Sequence, residues 1–218
     1  MRFAVSESEM TENYWLDARD LESTRSGRVL FRELTLALRG KQMLLLEGAN
    51  GSGKTTLLRM LCGFSLPDTG EVTWCGKDIY KLRAEYYAHI AYVGHKDGVK
   101  LELTPYENLR VAQAMASFSL DQSIDSILDR FGLSGYEDSL TRNLSAGQQR
   151  RLSLARLLVT KAPLWILDEP FTSLDTYGID IAHNVMQRHI EGGGMIVLAT
   201  HHKISLDGSD LQRINLSE

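Results

Sequence analysis

An α/β fold is predicted on three observations. Met43-Leu44-Leu45-Leu46, Leu164-Trp165-Ile166-Leu167 and Met195-Ile196-Val197-Leu198-Ala199 are continuous apolar runs, the pattern of strands buried on both faces of a sheet. The first of them leads into a glycine-rich loop and then a helical pattern. From about residue 98 to 160, helix signals replace strand signals. The 218 residues read as a polar leader over 1–14 and one domain over 15–218, an α/β core with a helical insertion at about 98–160.

Regular structure is expected to begin at Trp15. Leu16-Asp17-Ala18-Arg19-Asp20-Leu21 alternates, and Val29-Leu30-Phe31 and Leu34-Thr35-Leu36-Ala37-Leu38 follow as short strands after Ser26-Gly27. A helix is expected over 55–61. Glu71-Val72-Thr73-Trp74 reads as an outer strand before a Cys75-Gly76 turn, and Ile90-Ala91-Tyr92-Val93 as another strand. Thr104-Pro105-Tyr106-Glu107 has the form of a capping box with proline at the first helical position, opening a helix to about Ser117. Residues 120–131 and 136–140 are shorter helical candidates. Ser145-Ala146-Gly147-Gln148 is a second capping box, opening a helix to Val159, and a further helix is expected over 176–189.

Composition narrows the function classes. Apolar residues at 43% and charged residues at 24% fit a globular domain. Twenty-four basic against 28 acidic residues, a net charge of -4, argue against a nucleic-acid binder. Two cysteines, Cys62 and Cys75, make neither a disulfide framework nor a four-ligand zinc site and read as reduced thiols. The leader lacks the apolar stretch of a signal peptide, and no window has the 18 or so apolar residues of a membrane span. The expected location is the cytosol or the cytosolic face of a membrane.

Gly48-Ala49-Asn50-Gly51-Ser52-Gly53-Lys54-Thr55 matches G-x-x-x-x-G-K-[ST], after a buried strand and at the start of a helix. Such a P-loop turns backbone N–H groups inward around phosphate, and the helix N-terminus adds a favourable dipole. Lys54 would reach the β- and γ-phosphates, and the Thr55 hydroxyl would ligate Mg²⁺. Asp168 and Glu169 end an apolar strand, where such a site needs a carboxylate for the hydrated Mg²⁺. Asp168 suits that role, and Glu169 would orient and polarise the attacking water. Ser145 is, from its own context alone, a helix cap.

Leu144-Ser145-Ala146-Gly147-Gln148 resembles the signature motif of the ATP-binding cassette ATPases. Ser173-Leu174-Asp175 looks like their D-loop and Thr200-His201 like their switch histidine, and the motif order is also theirs. The resemblance covers about 15–202. It implies a P-loop NTPase core with a mixed sheet, an N-terminal antiparallel β subdomain and a helical signature subdomain. It also implies ATP and Mg²⁺ as ligands, with ATP contacts over residues 48–56 as far as Thr56. A head-to-tail homodimer follows, each ATP lying between one P-loop and the partner's signature segment, with Lys54, Glu169 and His201 catalytic.

The pattern departs from the family at two places. His95 stands where most members carry the Mg²⁺-touching glutamine. No aromatic residue lies near Arg25 to stack on adenine; Arg25 could stack by its guanidinium plane or simply be solvated. Tyr92-Val93-Gly94-His95, Leu103-Thr104, Glu107-Asn108-Leu109, the run Leu144 to Arg151, and Arg28-Val29-Leu30-Phe31 resemble the ATP-binding subunits of cytochrome c maturation haem exporters. Lys96 stands where that branch often has glutamine. The branch implies a peripheral subunit on the cytoplasmic face of the inner membrane, bound to polytopic proteins that handle haem themselves. Three alternatives compete: a motor for another small-cargo exporter, a soluble cassette protein on ribosomes or DNA, and a nucleotide-binding regulator. The soluble reading fails on the single cassette, the lack of sustained heptads over 55–144 and the acidic balance. Glu169 gives the regulator no support.

Overall fold

A computed structural model of the chain describes residues 14–116, 123–202, 204, 206 and 210–217. Residues 1–13 of the expected leader, Ser117 at the expected end of one helix and Leu120 at the expected start of the next lie outside the described residues.

Two sheets form. β1 (Trp15–Arg25), β2 (Arg28–Arg39), β4 (Thr69–Trp74) and β5 (Lys77–Asp78) make an antiparallel sheet in the order β2-β1-β4-β5. Where two short strands were expected after Ser26-Gly27, one twelve-residue strand runs through. Ser26 (φ 49°) and Gly27 (φ 76°) close the β1–β2 hairpin with positive φ at both turn positions, the mirror-image turn that matches strand twist. Cys75 (φ 51°) and Gly76 (φ 76°) repeat the device between β4 and β5.

The second sheet has the order β6-β7-β8-β3-β9, from β3 (Gln42–Glu47), β6 (Ile90–Val93), β7 (Leu164–Asp168), β8 (Met195–Ala199) and β9 (Asp210–Asn215). Every pairing described in it is parallel. The core sheet, expected to be mixed, is thus parallel in every described pairing, and the expected N-terminal antiparallel sheet stands as a separate sheet. Alternate residues divide between two cores. Leu44, Leu46, Leu164, Ile166, Val197 and Ala199 face the layer of the antiparallel sheet and α1 (Lys54–Leu61). Met43, Leu45, Trp165, Leu167, Ile196 and Leu198 face the helices on the other side. Burial of both faces is why these strands read as unbroken apolar runs.

α2 (Arg83–Tyr87) precedes β6, and α3 (Pro105–Met115), α4 (Ile124–Arg130) and α5 (Ala146–Ala155) lie between β6 and β7, with α6 (Thr176–Glu191) between β7 and β8. Both capping boxes are present. Thr104 Oγ1 accepts the Glu107 N–H (3.2 Å) while a Glu107 carboxylate oxygen accepts the Thr104 N–H (2.9 Å). Ser145 and Gln148 do the same at 3.2 and 2.8 Å. Each such cap is worth about 1 kcal/mol. Beyond Ala155 the chain tightens into a 3-10 turn over Arg156–Val159, so the α-helix expected to Val159 stops short. Residues 136–140 form turns rather than the expected helix: the Glu137 carboxylate accepts the Gly135 N–H (2.9 Å), and Ser139 N–H donates to the Tyr136 carbonyl.

On α6, His189 stacks flat on Trp165 with ring centroids 3.8 Å apart. Burial pushes it down to about 4, against the opposing pull of the Met195 and Pro163 carbonyls. The unfolded chain takes up this proton near pH 6.5 and the folded chain only near 4, so stability is full above pH 6.5 and falls as pH drops through that window. The loss reaches about 3 kcal/mol at most. Urea midpoints of wild type and His189→Phe at pH 7.5 and 5 should show the shallower decline in the variant.

Candidate functional site

The parallel strands aim their carboxyl ends at one edge, where open α/β sheets bind ligands. β3 ends at Glu47 and the loop Gly48 to Gly53 leads into α1. Gly48, Gly51 and Gly53 take φ of 140°, 80° and 109°, values that side chains other than glycine rarely adopt. Lys54 is buried and its Nζ donates to the carbonyls of Gly48 (2.6 Å) and Ala49 (3.1 Å), lying across the loop it would share with phosphate. The Ser52 hydroxyl is buried without a hydrogen-bond partner among the described residues. A buried polar atom left so is costly, and a ligand oxygen is a natural complement.

β7 brings the carboxylates. Asp168 is 3% exposed and its Oδ2 accepts a hydrogen bond from Thr55 Oγ1 at 2.9 Å. Glu169 follows at φ 49°, unfavourable for a residue with a Cβ, and its N–H donates to the Ala199 carbonyl (2.8 Å). His201, just beyond β8, places Nε2 3.6 Å from Glu169 Oε1 and 3.2 Å from Asn50 Oδ1. Residues 113 and 151 positions apart thus meet at one edge. Thr55 and Asp168 form a hard oxygen pair, the donor chemistry that suits Mg²⁺, which keeps water and phosphate oxygens for the rest of its shell.

The signature segment lies elsewhere. Leu144 is buried, Ser145 and Ala146 are exposed, and no hydrogen bond among the described residues joins residues 144–148 to residues 48–56. Gly147 has a reason within the chain that the sequence reading missed. A Cβ there would sit 2.9 Å from the Ser173 carbonyl oxygen, so the signature glycine is where the D-loop packs. Ser173 itself has φ 66°, Leu174 N–H donates to the Phe171 carbonyl, and Asp175 caps α6 by accepting the Gly178 N–H (2.8 Å). His95 is exposed on the loop after β6, and Arg25 is exposed at the end of β1.

Three further residues were not singled out by sequence. Ser217 Oγ accepts the Ala49 N–H at 2.8 Å, bracing the P-loop from beyond β9. Arg150, one turn into α5, is 2% exposed, and Asp97 meets its guanidinium at 3.0 Å. Arg150, Leu154 and Leu157 share one buried stripe at i, i+4, i+7. An arginine in an apolar stripe must be paired, and that was the available signal.

The fold and the site define a P-loop nucleoside-triphosphate-binding protein. The ABC transporter family model matches residues 31–172. The chain is 48% identical over 203 residues to the cytochrome c biogenesis ATP-binding export protein CcmA of Methylococcus capsulatus, covering 93% of this chain and 98% of that one. It is 42% identical over 203 residues to the CcmA of Escherichia coli, covering 93% and 97%. Among solved structures, an ATP-binding subunit of an ABC transporter superposes with a TM-score of 0.77 at 26% identity, over 85% of this chain and 79% of that one. A Pyrococcus furiosus ABC transporter ATP-binding protein, at 23% identity and a TM-score of 0.74 over 93% and 97%, shares the fold. The chain belongs to the ABC transporter family and, within it, to the family of cytochrome c biogenesis ATP-binding export proteins.

Proposed function

We propose that the chain is the Mg²⁺-dependent ATP-hydrolysing subunit of a membrane complex that serves haem export, or the release of a haem-loaded chaperone, in cytochrome c biogenesis. The observation that carries the reading is the meeting of Lys54, Thr55, Asp168, Glu169 and His201 at the carboxyl edge of one parallel sheet. Residues 48–56, through backbone N–H groups, Lys54 and the Thr56 turn of α1, hold the phosphates. Glu169 takes the proton of the attacking water, and His201 contacts the γ-phosphate while its Nε2 stays near Glu169. Thr55 and Asp168, the latter through water, would hold Mg²⁺, which when bound neutralises charge on the phosphates.

Leu144 to Gln148 and Ser173 to Asp175 complete the ATP site of a second copy across a homodimer. The exposure of Ser145 and its place at a helix N-terminus support this, since unpaired N–H donors there suit phosphate. Residues 98–160 act as the helical subdomain. No described helix is long and apolar enough to cross a membrane. The likeness to the cytochrome c biogenesis export proteins supports a chain held on the cytoplasmic face of the inner membrane by polytopic partners, which handle haem themselves. Nucleic acid has no part, and His95 stands at the sequence position of the usual glutamine.

The test is a mild-detergent pull-down of the tagged chain from native membranes, with partner identification and a visible spectrum. Small polytopic partners with a haem spectrum are expected. Polytopic partners without haem would keep the motor and discard the cargo, and recovery with ribosomes or nucleic acid would overturn the membrane reading.

A further inference from the structure

A guanidinium carries five N–H donors in a fixed plane, and Arg150 uses all five. Nε donates to the Pro170 carbonyl (3.0 Å), and Nη2 to the carbonyls of Asp168 (3.1 Å) and Glu169 (2.6 Å). Nη1 donates to the Gly94 carbonyl (2.9 Å) and to Asp97 Oδ1 (3.0 Å). One buried plane therefore bonds three successive residues at the end of β7 on one side and the loop leaving β6 on the other. Two more residues on the same face of α5 and its 3-10 extension grip that loop. Ser153 Oγ donates to the Asp97 carbonyl (2.6 Å), and Arg156 Nη1 to the carbonyls of Asp97 (3.4 Å) and Gly98 (3.0 Å).

Glu169 needs such support. Its φ of 49° persists only where surroundings over-determine it. The Glu169 N–H is tied to β8 at Ala199 and its carbonyl to Arg150. The planar fork cannot follow Asp97 without pulling on the β7 end, because its other donors point there. Five donors on one rigid group cannot be replaced by the three rotatable donors of lysine.

From this geometry we infer that Arg150 is a positioning residue for Glu169 and that Asp97 sets Arg150, so that the loop carrying His95 and the water-activating carboxylate shift as one unit. The inference rests on Glu169 being the group that activates water. Among the described residues no hydrogen bond or ion pair joins Arg150 or Asp97 to residues 48–56, so the coupling acts on turnover and not on ATP binding.

The experiment measures steady-state hydrolysis of MgATP by the full chain, purified with its membrane partners. Asp97→Ala is the principal variant, because Asp97 is 27% exposed and water can occupy the vacated place without loss of the fold. Expected is a fall in kcat of about tenfold, the scale of a small misplacement of a catalytic group, with KM for ATP within about twofold. Arg150→Lys should lower kcat at least as much, and adding it to Asp97→Ala should cost little more, since the two act through one network. A folded Asp97→Ala with wild-type kcat, beside an inactive Glu169→Gln, would overturn the inference alone. So would a loss that matches only the unfolded fraction. Wild-type turnover in Glu169→Gln would overturn the reading of the carboxylate and this inference with it.

Discussion

Glu169→Gln should lower ATP turnover by about two to four orders of magnitude, the usual contribution of a positioned general base, while MgATP still binds with affinity within about twofold. The amide is isosteric with the carboxylate and keeps one acceptor oxygen, so it still faces His201. The backbone stays fixed by the N–H bond to Ala199 and the carbonyl bond from Arg150. What is lost is the capacity to accept a proton from water. An ATP-bound dimer that persists on size exclusion, with no phosphate burst in a single turnover, is the expected result. Unchanged turnover would place water activation on another group. The contrast with Asp168 sharpens the assignment. Asp168 is almost fully buried and engaged by Thr55, so it has an oxygen committed to the phosphate side of the site. Glu169 stands one residue further out, with a side chain 20% exposed, where water reaches it.

The parts of this fold that could be read from sequence are those where one physical requirement dictates residue type over several positions. β3, β7 and β8 are buried on both faces, and their apolar runs mark them within one residue of their ends. The P-loop is legible because phosphate binding demands backbone without side chains at particular places. β9 escaped because Asp210 to Asn215 packs at a sheet edge and keeps polar residues at most of its positions. The false helix over 136–140 followed from helical composition in a stretch too short to offset the cost of nucleation. Gly132 and Gly135, at φ 61° and 85°, had already committed the chain to turns. Long-range polar ties were the least visible. Nothing local to Ser217 points to Ala49, 168 residues away. Arg150 and Arg151 are adjacent and chemically identical, yet only the first is swallowed by the core between α5 and the β7 end.

Removal of the Lys54 ammonium should abolish useful ATP binding, because the group does two things at once. It is a positive charge at the focus of the P-loop, where hydrogen bonds to a charged partner contribute about 1.5–3 kcal/mol each. It also ties the Gly48 and Ala49 carbonyls across the loop, so Lys54→Ala loosens the very backbone whose N–H groups must converge on phosphate. Without its hydrogen bonds to the β- and γ-phosphates, Kd should rise by about a hundredfold or more. The fold itself should survive, since α1 keeps Leu57, Leu58 and Leu61 in the core and Ser217 still holds the Ala49 N–H. Thermal unfolding separates these effects. A ligand at a hundred times its Kd stabilises the native state by about 2.7 kcal/mol, so wild type should show a clear upward shift in Tm with MgATP. Lys54→Ala should show a Tm close to wild type without nucleotide and no shift with it. A variant that keeps the full shift would mean that the loop binds phosphate through its backbone alone, and Lys54 would then be a strut of the P-loop and not its counter-charge.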